Sequence, residues 1–237
     1  QSLLKNYPKL YEVGRNIQRK YVSKFSLDNF QIHNTLVNND KQLPEYKFKK
    51  GLLSKGTIQK KVFNEIVTEF ETIDLIIQSS GVGYVNPKLD WKLLQQTVLT
   101  NVLGVTKLYS LAYILFKKQQ FGHLVGITSI ASIRGNRAAP VYFSSKAYQK
   151  AYLESLYIKT KSIKSKRVFI TEIRPGFVDT AMALGEAVFW MVPLEKAANQ
   201  IYSAIKRKKR VAYISKRWQL IAWALKLAPA WLLKKTL

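Results

Sequence analysis

Residues 124–146 read LVGITSIASIRGNRAAPVYFSSK. The opening run, Leu124–Thr128, is short, apolar and partly β-branched, as a strand buried on both faces should be. Ser129 follows at the C-terminal end of that strand. A helix is predicted from near Tyr142 to about Ser162. Within it, Tyr142 and Lys146 stand one turn apart on the same face. Two further runs of the same kind, Ile73–Ile77 and Val168–Ile173, bracket this stretch. The segments between them are long enough for crossover helices. Short apolar runs alternating with longer amphipathic ones predict βαβ units and a doubly wound, mainly parallel α/β sheet.

Working outward, a helix is expected around Val98–Phe116, apolar over more than one stripe and so buried on two sides. Another follows Pro193, where proline suits a first helical turn. Val211–Ile214 reads as a last short strand. Weaker strand signals lie at Ser2–Lys5, Phe30–His33 and Tyr46–Phe48, for about seven strands in all. Residues 1–215 form one domain in this reading, with a divergent half at 1–72 and a catalytic half at 73–180. Residues 216–237 form a basic, Trp-rich amphipathic helix.

The chain has 237 residues, no cysteine and two histidines, His33 and His123. That excludes a disulfide framework and a thiolate metal site, and argues against a zinc enzyme or a Ser-His-Asp hydrolase. No metal is expected. No charged-then-apolar leader is seen, so the expected location is cytoplasmic. The formal net charge of +25 attracts anions such as nucleotides or acidic lipid. A solvated Lys-rich surface explains the charge equally well. Nucleic-acid binding would rest on charge alone and is not favoured.

The chemistry centres on Tyr142 and Lys146. An ammonium beside a phenol favours the phenolate, and is expected to bring the tyrosine from about 10 toward neutrality. Such a group moves protons at a carbonyl or alcohol oxygen, an effect worth roughly 10²–10⁴-fold. The spacing alone is weak, since it recurs at Tyr46/Lys50, Tyr84/Lys88, Tyr113/Lys117, Tyr157/Lys161 and Tyr202/Lys206. Ser129 at a strand end, where open α/β sheets bind ligands, singles out Tyr142. Three more patterns agree. Pro175-Gly176 turns the chain after a strand and lets backbone approach a ligand, with Thr180 close behind. Gly81 and Gly83 make a turn with room for a ligand after Ile73–Ile77. Asn101 sits in an apolar helix, where its amide needs partners.

Asn101, Ser129, Tyr142 and Lys146, followed by Pro175, Gly176 and Thr180, resemble the short-chain dehydrogenase/reductase family in order and near its spacing. The resemblance covers the last two-thirds of the chain well and the rest loosely. It implies a Rossmann-like fold and nicotinamide-dependent interconversion of an alcohol and a carbonyl. Tyr142 would be the acid/base, Ser129 would hold the substrate oxygen, and Lys146 would bind the nicotinamide ribose and tune Tyr142. Asn101 would support a proton relay through water. Gly14, Ser80, Gly81, Pro175, Gly176, Val178 and Thr180 complete the implied cofactor set. Helices Val98–Phe116 and Tyr142–Ser162 resemble the pair that forms homodimers or homotetramers in this family.

The chain departs from the family at its first glycine turn, which reads here Tyr7–Gly14 with Pro8 and Glu12 at glycine positions. The ribose-gripping acid of NAD users has no counterpart in Ile32–Val37. The family's Asn-Asn-Ala-Gly turn reads Gln78-Ser79-Ser80-Gly81. Three readings stand together: a divergent working cofactor site, a non-catalytic binding or scaffold protein at a membrane surface, or an altered or trimmed N-terminal sequence. For a working site, the missing acid and the positive field favour NADP(H) over NAD(H). Met182, Phe189 and Trp190 would form an apolar lid for a small lipophilic alcohol or ketone. The tail, with Trp218, Trp223 and Trp231 among basic residues, suits peripheral membrane contact, packing on the domain or a subunit contact.

Overall fold

The computed structural model describes residues 34–37, 63–64, 66–68, 70, 72–179 and 190–229. Among these, one sheet has five strands in the order β1-β2-β3-β4-β5: Asn34–Val37, Leu75–Gln78, Phe121–Ile127, Arg167–Pro175 and Val211–Ile214. Strands β2 to β5 are parallel, with Ile76 opposite Leu124 and Leu124 opposite Ile170. β1 runs antiparallel to β2. The main strands fall where the apolar runs place them, and Val211–Ile214 coincides with β5. The sequence reading has no strand at Asn34–Val37. The weaker strands at Ser2–Lys5, Phe30–His33 and Tyr46–Phe48 lie outside the described residues.

The helices are α1 (Trp91–Thr97), α2 (Val105–Gln119), α3 (Pro140–Thr160), α4 (Leu194–Lys206) and α5 (Arg217–Leu227). A π-helical stretch, Val98–Gly104, joins α1 to α2 without a break. The rod Trp91–Gln119 is long and apolar enough to cross a membrane by length and composition. Its apolar face is spent inside the protein instead: Val105, Leu108, Tyr109, Ala112 and Phe116 all enter the core. That spacing of three and four is the buried stripe of an amphipathic helix.

The sheet is covered on both faces. One core gathers Ile73, Ile76, Leu124, Ile170 and the stripes of α2 and α3. The other gathers Val125, Ile173, Ala212 and Ile214 with Ala197, Ala204 and Ile205 of α4. Neighbours Leu124 and Val125 serve opposite faces because strand side chains alternate. Burial of each large side chain contributes about 1.5–3 kcal/mol.

α3 is built in two halves. Pro140 opens it, where a missing N–H costs nothing. Its first turns bury the polar Ser145, Lys146 and Gln149, and its later turns bury Leu153 and Leu156. The apolar half anchors the helix and the polar half faces the strand ends. Hydroxyl pairs lace α2 to α3: Thr106 with Tyr148 at 2.7 Å and Ser110 with Tyr152 at 2.7 Å. α5 is fixed to the domain through Trp218 and Ala222, both buried.

Candidate active site

Parallel strands bring the C-terminal ends of β2, β3 and β4 to one edge, where ligands bind in open α/β folds. The loop after β2 carries Gln78 to Gly83. The Gln78 side chain is fully buried, donates to the Ser80 carbonyl at 2.5 Å and accepts from the Tyr109 hydroxyl at 2.9 Å. This explains glutamine at the first position of that turn: its longer arm reaches forward to Ser80 while α2 holds its oxygen. Ser80, a cofactor contact in the sequence reading, is buried and serves this turn.

Asn101 closes the same loop. Its Nδ2 donates to the Val82 carbonyl at 2.7 Å, and its Oδ1 accepts from the Val82 N–H at 2.9 Å. The buried amide thereby mimics a strand partner for Val82. Nδ2 also lies 3.0 Å from Ser145 Oγ. Held this way, Gly83 and Gly81 lie against Tyr142 and Lys146. A Cβ on Gly83 would stand 2.9 Å from the Tyr142 ring, and one on Gly81 would stand 3.3 Å from Lys146 Nζ.

Ser129 leaves β3 in extended conformation, and its Oγ accepts from the Ala131 N–H at 3.1 Å to cap the short turn Ile130–Ser132. The Ser129 side chain stands near enough to the Tyr142 hydroxyl to favour its phenolate. Lys146 Nζ lies 5.9 Å from the centre of the Tyr142 ring. It donates to the Ile127 carbonyl and to Gln149 Oε1, each at 3.2 Å. Asn101, Ser129, Tyr142 and Lys146 therefore converge on one edge, as their order in the sequence implies.

The electrostatics differ from the sequence expectation. Burial raises the Tyr142 hydroxyl above its usual range, and the Ser129 hydrogen bond opposes this in part. Burial also lowers Lys146 from 10.5 to about 8. Both groups give up hydration for their charged forms, and among the described residues no carboxylate acts on the ammonium. Tyr142 accordingly stands as the neutral phenol.

The Pro175–Gly176 turn also departs from expectation. A Cβ on Gly176 would run into the Trp218 ring, so the indole of α5, rather than a ligand, uses the close approach that glycine allows here. Phe177 meets the same indole edge-on at 5.5 Å. Val192 is clipped to this segment: its N–H donates to the Phe177 carbonyl, its carbonyl accepts from Asp179, and Val178 bridges it. Trp190 packs against Trp218 at 6.4 Å and under the Arg217 guanidinium at 5.5 Å. Arg134, just beyond the Ser129 turn, donates to the Ala228 carbonyl at 2.6 Å. α5 thus straps the strand-end edge from Gly176 to Arg134. Gly14, Thr180, Met182 and Phe189 lie outside the described residues.

Sequence reasoning missed Gln78, Gln149 and the pair Glu172–Arg174. Gln149 follows Lys146 by three residues, so it shares its face, a signal that was present but reads as an ordinary polar helix position. Glu172 is fully buried below the Pro175 turn. Its carboxylate accepts from Arg174 at 2.8 and 2.6 Å and from Thr128 at 2.9 Å.

The family model for short chain dehydrogenases matches residues 26–187, more than half of the chain. A protein of Myxococcus xanthus described as an uncharacterized oxidoreductase is 31% identical over 112 residues, 46% of this chain and 43% of that protein. The 3-oxoacyl-(acyl-carrier-protein) reductase of Aquifex aeolicus is 29% identical over 137 residues, 56% of this chain and 52% of that one. The chain spans about half the length of the curated relatives it matches. A crystal structure of a short chain dehydrogenase from Burkholderia cenocepacia in complex with NADP has the same fold. Its TM-score is 0.65 at 18% identity, over 78% of this chain and 76% of that one.

Proposed function

Because the chain belongs to the short-chain dehydrogenase family, we propose that it is an NAD(P)(H)-dependent oxidoreductase that interconverts a carbonyl and an alcohol on an apolar substrate. The observation that carries this reading is the convergence of Ser129, Tyr142 and Lys146 beside the Gly81–Gly83 turn. The described residues fit the ribose and nicotinamide end of such a cofactor. Lys146 Nζ and the Tyr142 hydroxyl offer donors to ribose hydroxyls, and Gly81 leaves that edge without a side chain. When bound, the cofactor supplies or accepts the hydride.

The chain's own share is orientation and proton movement. Ser129 holds the substrate oxygen next to the Tyr142 hydroxyl. Tyr142 gives its proton to that oxygen as a carbonyl becomes an alcohol, and takes it back in the reverse direction. Its raised affinity for the proton keeps it in the donating form that reduction of a carbonyl needs. Lys146, while charged, stabilises the phenolate left behind. NADP(H) is favoured over NAD(H) by the net charge of +25. The test is nicotinamide fluorescence on titration with NADPH and NADH, for the wild type and Lys146→Ala. Saturable binding weakened by the substitution supports the proposal; no binding of either nucleotide refutes it.

An anionic membrane surface is the second element of the proposal. On α5, Leu220, Trp223 and Leu227 are 64%, 57% and 86% exposed, at spacings of three and four residues. That stripe turns away from the domain and is flanked by Lys216, Arg217 and Lys226. Indoles and leucines among cations suit an acidic lipid interface, where a lipophilic substrate would also reside. Leu220→Asp with Trp223→Asp should abolish co-sedimentation with phosphatidylglycerol vesicles; unchanged sedimentation refutes the contact. The chain is further proposed to pair with a second copy through α2 and α3, which expose Ile114 and Ile158. Light scattering of the eluted protein tests this, and a monomer at all concentrations refutes it.

A further inference from the structure

The carbonyl of Asn101 and the ammonium of Lys146 face each other across a narrow buried gap, and a side chain fills it. Gln149 is 0% exposed. Its Nε2 donates to the Asn101 carbonyl at 2.8 Å, and its Oε1 accepts from Lys146 Nζ at 3.2 Å. Asn101 lies in the π-helical stretch. The Val105 N–H donates to the Val102 carbonyl rather than to that of Asn101, four residues back. The Asn101 carbonyl accepts from a side chain that α3 supplies from the turn after Lys146.

We propose that Gln149 is a positioning residue: its carboxamide bridges Asn101 and Lys146 and fixes the lysine against the Gly81 turn. The proposal rests on the reading of Lys146 and Tyr142 as the reacting pair and adds a residue to it. Asn101 in turn holds Val82 and anchors the bridge.

The other groups that face Lys146 are few. Its own helix brings Tyr142; β3 brings only the Ile127 carbonyl; the Gly81 turn and the π-helical stretch bring backbone and the Asn101 amide. No carboxylate acts on it among the described residues, and burial alone lowers its proton affinity. Gln149 Oε1 is the side-chain acceptor that the ammonium meets, so a charge placed there acts on it directly.

The experiment uses the full chain with lysine ¹³Cε labelling, Lys146 being assigned by its absence in Lys146→Arg. The Lys146 titration midpoint is read by NMR in the wild type, Gln149→Glu and Gln149→Leu. Glutamate is nearly isosteric and should keep the fold. It should move the midpoint up by roughly one pH unit or more, and leucine should move it down. The pH at which nicotinamide affinity falls should shift the same way in both variants. A midpoint unmoved in a folded Gln149→Glu overturns the proposal. The NMR midpoint is read without cofactor. A shifted midpoint in a chain that binds no nucleotide would therefore refute the enzyme reading and leave the Gln149 bridge standing.

Discussion

Replacing Lys146 by methionine tests how the buried ammonium loads the fold. Lys146 is 5% exposed, and burial brings its pKa from 10.5 to about 8. Its folded-state value lies below its unfolded value, so between these limits the unfolded chain holds the extra proton. Stability therefore rises with pH across that window and is lowest below pH 8. At about 1.4 kcal/mol per pH unit, the fall from 10.5 to about 8 is worth about 3 kcal/mol. Methionine has similar length and no charge, so Lys146→Met lacks the effect. It also strands two acceptors, the Ile127 carbonyl and Gln149 Oε1, at a cost of about 1–3 kcal/mol each that does not vary with pH. Urea unfolding of both proteins from pH 7 to 10.5 separates the two. The wild type should gain about 3 kcal/mol on the variant across that range. A difference that stays flat would refute the reasoning, because it would mean Lys146 is not desolvated in the folded state.

Three further outcomes are expected. Gly83→Ala places a methyl 2.9 Å from the Tyr142 ring. Turnover should fall at least about tenfold through misplaced acid/base geometry, with little change in Tm, and unchanged turnover would refute that contact. His123 is buried against Thr171, and burial, helped by the Lys208 charge, lowers it from 6.5 to about 4. Its neutral form is the native one, so stability is lost as pH falls through that window; relative to His123→Gln, the wild type should lose about 3 kcal/mol between pH 7 and 4 in denaturant titrations. Glu172→Ala leaves Arg174 buried without its carboxylate and should cost about 3–5 kcal/mol, whereas Glu172→Leu with Arg174→Met should cost less; equal losses in urea would argue against a buried pair.

The parallel core was legible because β2, β3 and β4 each carry a short apolar run, and strands covered on both faces leave that plain signature. Ser129, Tyr142 and Lys146 were legible because a strand end followed by a one-turn spacing fixes their relative positions before any tertiary contact is known. The π-helical turn at Val98–Gly104 was not legible. It depends on which carbonyl each N–H chooses, and the apolar pattern is nearly the same for either choice. Gln78 and Gln149 were missed for a related reason: a buried glutamine and a solvated one look alike in sequence, and only the partners on β2, α2 and α3 separate them. The raised proton affinity of Tyr142 was misjudged because spacing places Lys146 nearby but says nothing of how much water both groups lose. The Gly176 turn was read for a ligand because nothing local to it reveals Trp218, which arrives from more than forty residues downstream.

The account stands on Tyr142 delivering a proton to a substrate oxygen beside a nicotinamide cofactor. The direct measurement is reduction of a lipophilic ketone with NADPH, followed at 340 nm, for the wild type and Tyr142→Phe, with binding of NADPH measured on both. The account predicts that the phenylalanine variant binds NADPH normally and loses turnover by roughly 10²–10⁴-fold. Equal turnover in the two proteins would contradict it.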